Sequence, residues 1–378
     1  MLRNLVASLL LTFVVTMLAA QEVERKVVER DTIDYIYTPI DQSYAKEHGS
    51  GRLFRKLVEG DPLALVIVPI YSLETNLGIA LSGQYKTQTF SVSATAIASL
   101  SGYYNVRVEG ANTLRQTHRL SYGAAVVSQP TRLWGLTFDA MQENSYKTYT
   151  SKEYSLWFQY MLPIAKNTTI DINTDYSYLA AAKLDDGMHI LLGNRPCWVS
   201  SVSVGAGIDY DSRERLKNYQ QRGVHATLSA NYRPQIFSNL SSDIASFEAT
   251  FDWYQPLWSG ATFAFDVHGE HNTSKTPWLM QSSLGGGRLR GYYPGRYRGN
   301  SVAMAQVELR QHIWRGIGVV AWGGVGTVFS PADGSAWRKL LPTYGLGLRY
   351  YYQDIVLRAD VGFGRNSYDI LIGLGEAF

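Results

Sequence analysis

Val224-His225-Ala226-Thr227-Leu228-Ser229-Ala230-Asn231-Tyr232 alternates apolar and polar side chains without a break. Val224, Ala226, Leu228, Ala230 and Tyr232 share one face of an extended chain; His225, Thr227, Ser229 and Asn231 share the other. A period of two is the mark of a strand with one wet and one apolar side. The pattern recurs on both flanks. Ile170, Ile172, Thr174 and Tyr176 alternate with Asp171, Asn173 and Asp175. Ala245, Phe247, Ala249, Phe251 and Trp253 alternate with Ser246, Glu248, Thr250 and Asp252. Ala303, Ala305, Val307 and Leu309 alternate with Met304, Gln306, Glu308 and Arg310, and Ile355 to Phe363 repeats the scheme with Arg358 and Asp360 on its polar side. From about residue 62 to the last residue the chain reads as strands and little else.

A soluble sandwich alternates as well, so the choice rests on what the two faces carry. The polar faces bear Glu, Asp, Arg and His in mid-strand, as the lumen of a membrane barrel permits. Aromatic residues crowd the strand ends, at Tyr103-Tyr104, Trp253-Tyr254, Trp258, Tyr292-Tyr293 and Tyr350-Tyr351-Tyr352, as in the aromatic girdles of such barrels. Composition agrees: 26 Tyr, 9 Trp and 13 Phe, with charged residues at 18%, below the usual quarter of a soluble domain. At 46% hydrophobic the chain has ample apolar area to bury, which excludes disorder. The single Cys197 excludes a disulfide scaffold, and a formal charge of +3 gives no basis for nucleic-acid binding. After residue 20 no apolar run is long enough for a helical span, and only a closed barrel pairs every backbone group with strands alone. The expected fold is all-β: a transmembrane antiparallel β-barrel. About 17 candidate strands can be marked, Leu63–Tyr71 being doubtful because Pro69 interrupts it. Single-chain bacterial barrels have even strand numbers, and roughly 20 residues per strand and connection give 16.

The first twenty residues have their own grammar. Met1 to Asn4 carries Arg3, Leu5 to Leu18 is almost wholly apolar, and Ala19-Ala20 precedes Gln21. This is the pattern of a secretory signal peptide, and the apolar stretch is short for a bilayer span. Residues 21–61 read as a short, charged periplasmic arm, with an amphipathic helical turn possible over Gly51–Glu59. The protein is expected to be exported and integral to the bacterial outer membrane.

Two places are more specific. Between about His271 and Ser301 lies a connection far longer than a hairpin turn, centred on Gly285-Gly286-Gly287-Arg288-Leu289-Arg290-Gly291-Tyr292-Tyr293-Pro294-Gly295-Arg296-Tyr297-Arg298-Gly299. Long loops of this kind carry function, and each guanidinium wants a carboxylate or an acceptor-rich wall. The reading adopted is a glycine/arginine-rich loop folded inward, with Arg290 paired to Glu308 on the following strand. An exposed loop whose arginines meet lipopolysaccharide phosphates remains the alternative. The second place is the C-terminus, where Tyr368, Ile370, Ile372 and Leu374 alternate with Asp369, Leu371 and Gly373, ahead of Phe378. A terminal aromatic on an amphipathic strand looks like an outer-membrane recognition signal, read by strand addition.

These residues resemble the bacterial surface antigen family, the barrel of BamA/TamA-type outer-membrane assembly proteins. The family's loop motif corresponds to Leu289-Arg290-Gly291-Tyr292, and its Glu-Leu-Arg strand to Glu308-Leu309-Arg310. Asp211, Arg213, Arg222 and Gly223 match a further segment, Gly345 to Arg349 a Gly-x-Gly-x-Arg strand, and Leu357 to Gly362, with Arg358 and Asp360, the penultimate strand. The resemblance is firm from about residue 200 and looser before it. It implies a weak seam between first and last strands and a loop motif that anchors through Arg290 and Glu308. In the family a second acid for this arginine usually follows the Glu-Leu-Arg strand; Gly324 stands in its place, so Arg290 is expected to keep Glu308 alone. Members that fold or secrete proteins carry N-terminal polypeptide-binding domains, for which residues 21–60 are too short, so this chain is expected to be a barrel-only member.

The implied function is insertion or transport of proteins at the outer membrane. The alternative is a channel or a barrel subunit of a larger complex. Implied partners are outer-membrane lipid and lipopolysaccharide, the machinery that reads the C-terminal strand, and a separate periplasmic delivery protein. No cofactor, metal or enzyme activity is expected. The seven histidines, His48, His118, His189, His225, His268, His271 and His312, sit in no nucleophile motif. His268 and His271 fall on opposite faces of one strand and cannot chelate together. Asp185-Asp186 before Gly187 reads as a solvated turn.

Overall fold

The computed structural model describes residues 63–72, 76–87, 89–114, 117–273, 276–329, 340–352 and 355–378. The expected signal peptide and the arm of residues 21–61 lie outside them. Sixteen strands close into one antiparallel ring. They are β1 (Leu63–Ser72), β2 (Asn76–Lys86), β3 (Phe90–Ser99), β4 (Tyr104–Leu114), β5 (His118–Leu133), β6 (Lys147–Ala165), β7 (Thr168–Ala182) and β8 (Trp198–Asp211). The ring continues with β9 (Gln221–Arg233), β10 (Ile244–Pro256), β11 (Ala261–Asn272), β12 (Ser301–Trp314), β13 (Ile317–Phe329), β14 (Leu341–Tyr352), β15 (Ile355–Gly364) and β16 (Ser367–Leu374). No helix among the described residues is long and apolar enough to cross a membrane. Pro69 does not break β1; it lies opposite Ile79 of β2, on a strand whose other edge is almost unpaired, where a missing donor costs little.

The alternation sorts side chains as the period requires. Phe247, Phe251 and Trp253 point out, as do Val307, Leu309, Val361 and Phe363, while Asp252, Glu308, Arg310 and Asp360 are buried on the inner side. Connections at one rim are tight: Asn167, Arg315 and its neighbour Gly316 turn the chain, with Asn167 and Arg315 at positive φ. The opposite rim carries the long connections, as extracellular loops of barrels do. Two of these contain short helices, α1 (Phe138–Gln142) and α2 (Met188–Leu192).

Several sequence expectations need correction. Tyr254, Tyr292, Tyr293 and Tyr351 are not girdle residues: all four are buried, and Tyr292 belongs to an apolar cluster with Phe138, Met141, Leu289, Tyr297, Val302, Met304, Val328 and Leu341. Met304, grouped by alternation with the polar face, is thus part of a dry core beneath the long connections; the charged inner wall begins below it.

The ring's last junction differs from the others. β5 and β6 pair continuously from Arg119↔Met161 to Leu133↔Lys147. β1 and β16 share one ladder position, Tyr71↔Ile372.

Candidate functional site

The 273–300 connection places a four-residue motif against the inner side of β12 to β15. Leu289 covers Gly326. Gly291 has φ +104, and a Cβ there would come within 2.7–2.8 Å of the Phe363 backbone, so only glycine fits both the conformation and the space. Tyr292 lies over Gly364, donates to the Pro342 carbonyl at 2.7 Å and accepts from the Arg365 N–H at 2.8 Å. The bare backbone of Gly326 and Gly364 gives these side chains a flat wall to rest on.

Between them Arg290 is wholly buried. Its guanidinium bonds to Glu308 and, at 3.1 Å, to Asp360, and packs 3.8 Å from the centre of the Trp322 ring. Thr343 donates to its carbonyl. The sequence brought out Glu308 alone; the second acid is Asp360 on β15. Gly324, the position where an acid was looked for, has no room for one: a Cβ would stand 2.7 Å from the Ala305 carbonyl oxygen.

The ion pairs extend further. Arg310 Nε bonds to the other Glu308 oxygen at 2.7 Å. Arg349 bonds to Asp360 and, through Nε, to Glu376 at 2.7 Å. The Tyr351 hydroxyl donates to Glu376 at 3.0 Å, and Arg310 donates to Gln221 at 2.6 Å and to the Phe378 carbonyl oxygen at 2.9 Å. Arg290, Arg310 and Arg349 thus face Glu308, Asp360 and Glu376, three charges against three. Such a buried set holds together only because each charge has an opposite partner.

Phe378 stands apart from Tyr368, Ile370, Ile372 and Leu374, the other residues of the expected C-terminal signal. Those four lie within β16, with Tyr368 exposed on the outer side. The strand ends at Leu374, Gly375 turns at φ +85, and Phe378 sits near Tyr254 and 5.1 Å from the Arg310 guanidinium. The terminal aromatic is therefore not on the amphipathic strand. Arginines at the end of neighbouring strands draw Glu376 and the chain around it inward.

Other motif residues go elsewhere. Asp211 and Arg213 form a two-pronged ion pair at 3.0 and 2.8 Å, and Gly223, at φ +120, passes against the Ser212 carbonyl. Arg358 is buried on the inner face of β15. Arg296 caps α1 by donating to the carbonyls of Met141, Gln142 and Glu143, Arg298 donates to Gly295, and Arg288 reaches Glu248 at 3.5 Å. His225, on the polar face of β9, has a carboxylate at each ring nitrogen, Asp252 at 3.0 Å and Asp209 at 3.1 Å. The register His225↔Asp252↔Asp266↔Gln306 across four strands could have revealed that row, had strand pairing been known.

No family model and no curated protein matches the sequence. Solved structures do. BamA from Haemophilus ducreyi lacking POTRA domains 1-3 superposes with a TM-score of 0.61 at 14% identity, over 83% of this chain and 70% of that one. The barrel has the BamA fold. CdiB from Acinetobacter baumannii matches at TM-score 0.55 and 13% identity, and CdiB from Escherichia coli at 0.56 and 12%, each over 83% of this chain. This chain spans 59% and 63% of those two. At such identities the likeness to BamA and CdiB is one of architecture.

Proposed function

We propose that this barrel resides in the bacterial outer membrane and acts there in the insertion or transport of proteins, through the seam between β1 and β16. The observation that carries the reading is the single ladder position at that seam, beside continuous ladders elsewhere. Most of the β1 edge faces no β16 partner, and an unpaired edge is a template for an arriving strand. The inner network supports the same reading. It fixes β12, β14, β15 and the segment after β16 to one another, so the wall beside the seam holds its shape while the seam itself keeps a single ladder position. The apolar cluster under the long connections fills that end of the barrel, which favours a barrel worked through its side over an open pore. In this reading Leu289 to Tyr292 form a lumen loop, the partners are lipid, lipopolysaccharide and the outer-membrane assembly machinery, and a separate periplasmic protein delivers the polypeptide.

The test is a pair of bridged cysteines in a Cys197→Ser background. Tyr71→Cys with Ile372→Cys locks the seam; Ala125→Cys with Ser155→Cys, opposite each other on β5 and β6, is the control. Bridging the seam should abolish insertion of a barrel substrate into liposomes, and reduction should restore it, while the control pair has no effect. Full activity of the bridged seam variant overturns the reading.

A further inference from the structure

Strands β10 and β11 put Glu248 directly opposite Glu270, and the next inner pair is Thr250 opposite His268. Two carboxylates facing each other across a ladder repel, so this wall calls for a cation. His268 lies between them, 1% exposed, its Nε2 2.9 Å from Glu270 Oε1 and its Nδ1 3.9 Å from Glu248 Oε1. One ligand atom from each of the three lies within 4.8 Å of the other two. We propose that Glu248, His268 and Glu270 form a binding site for a first-row divalent metal ion of the zinc or cobalt class.

The outer partners are those a metal site needs. Ser282 accepts from Asn272 Nδ2 at 2.8 Å and donates to Glu270, which fixes that carboxylate. Thr250 Oγ1 lies 3.0 Å from His268 Nδ1. An ionised carboxylate only accepts, so with Glu270 beside it Nε2 carries a proton. A metal at Nε2 takes the lone pair of the other neutral tautomer: the ring proton moves from Nε2 to Nδ1, and Thr250, whose hydroxyl can donate or accept, then receives the hydrogen bond from Nδ1–H. Hydrogen-bonded second partners of this kind orient metal ligands. One imidazole and two carboxylates suit zinc, cobalt or manganese; calcium and magnesium prefer oxygen throughout. A search for paired histidines in the sequence does not find this set, because its other ligands are acids, Glu270 on the same strand and Glu248 on the neighbouring one.

The site has a competitor. The half-exposed Arg288 guanidinium lies 3.5 Å from Glu248, and the Arg288 carbonyl accepts from Gln306 at 3.3 Å. Metal binding takes Glu248 from Arg288 and so frees one anchor of the segment that carries Arg290.

The experiment uses the whole folded chain in detergent, stripped of metal. Cobalt is followed by its visible absorption and zinc by calorimetry. The expected result is one ion per chain. His268→Ala and Glu270→Gln each weaken binding by about tenfold or more, and Thr250→Val by about tenfold, the usual cost of a lost second partner. Arg288→Ala tightens binding several-fold, which a purely structural role for these residues does not produce. Heat-modifiable gel mobility certifies each variant as folded. If His268→Ala fails to fold, Glu248→Gln, on a half-exposed side chain, carries the ligand test. Absence of binding at millimolar metal, binding unchanged in the folded ligand variants, or no tightening in Arg288→Ala overturns the proposal.

Discussion

The β5–β6 and β1–β16 junctions close the same ring by different means. The first is a ladder of backbone hydrogen bonds from Arg119↔Met161 to Leu133↔Lys147. The second has Tyr71↔Ile372, and the chain that follows β16 is held by side chains: Glu376 by Arg349 and Tyr351, the Phe378 carbonyl by Arg310. A ladder needs only regular backbone, so any alternating sequence makes one. A side-chain closure needs particular residues, and single substitutions can undo it.

Four substitutions and one exchange measurement sharpen that contrast. Glu308→Ala leaves Arg290 and Arg310 without their shared acid; a broken buried pair costs about 3–5 kcal/mol. In liposomes the variant should unfold at lower denaturant, and β15 and β16 amides should exchange faster while β5 and β6 stay protected. Uniform loss of protection would show that the two junctions are one cooperative unit. Gly291→Ala should cost about 2–4 kcal/mol, from a strained φ and a Cβ against Phe363, and should expose the loop to proteolysis. Glu376→Gln should cost about 1.5–3 kcal/mol through weakened bonds to Arg349 and Tyr351, with the change confined to the seam side of the ring. Without any mutation, amides of residues 63–70 should exchange faster than those of β5, since one edge of β1 lacks ladder partners.

The smallest effect tests a junction far from the seam. The Thr148 backbone N–H, then its side chain, hold the Asp185 carboxyl below the usual carboxylate range. A lowered folded value means that this tie contributes above the ordinary carboxylate pKa and is lost as pH falls through the folded one. Asp185→Asn should therefore lower the melting temperature slightly at neutral pH, and the difference from the wild type should vanish in strong acid.

Much of the barrel was legible in the residues. Alternation in stretches such as Val224–Tyr232 gave strand, inner face and outer face, and the count of sixteen followed from length. Arg290 and Glu308 could be matched because each stood in a recognisable motif. Asp360 was singled out as a motif residue yet not as the partner of Arg290, because 70 residues separate them in the chain and only strand order makes them neighbours. Arg349 with Glu376 was missed for a related reason: the chain's turn after Leu374 has no signal beyond Gly375.

What the sequence determined by itself is therefore periodic and local: strands, the side each residue faces, and a long arginine-bearing connection. A period of two is set by the backbone of a single strand and needs no partner. What only the tertiary structure decided is which charges meet. Ring closure brings β12, β14, β15 and the segment after β16 around Arg290, and buried charges must then find opposite partners there, since no water remains to solvate them.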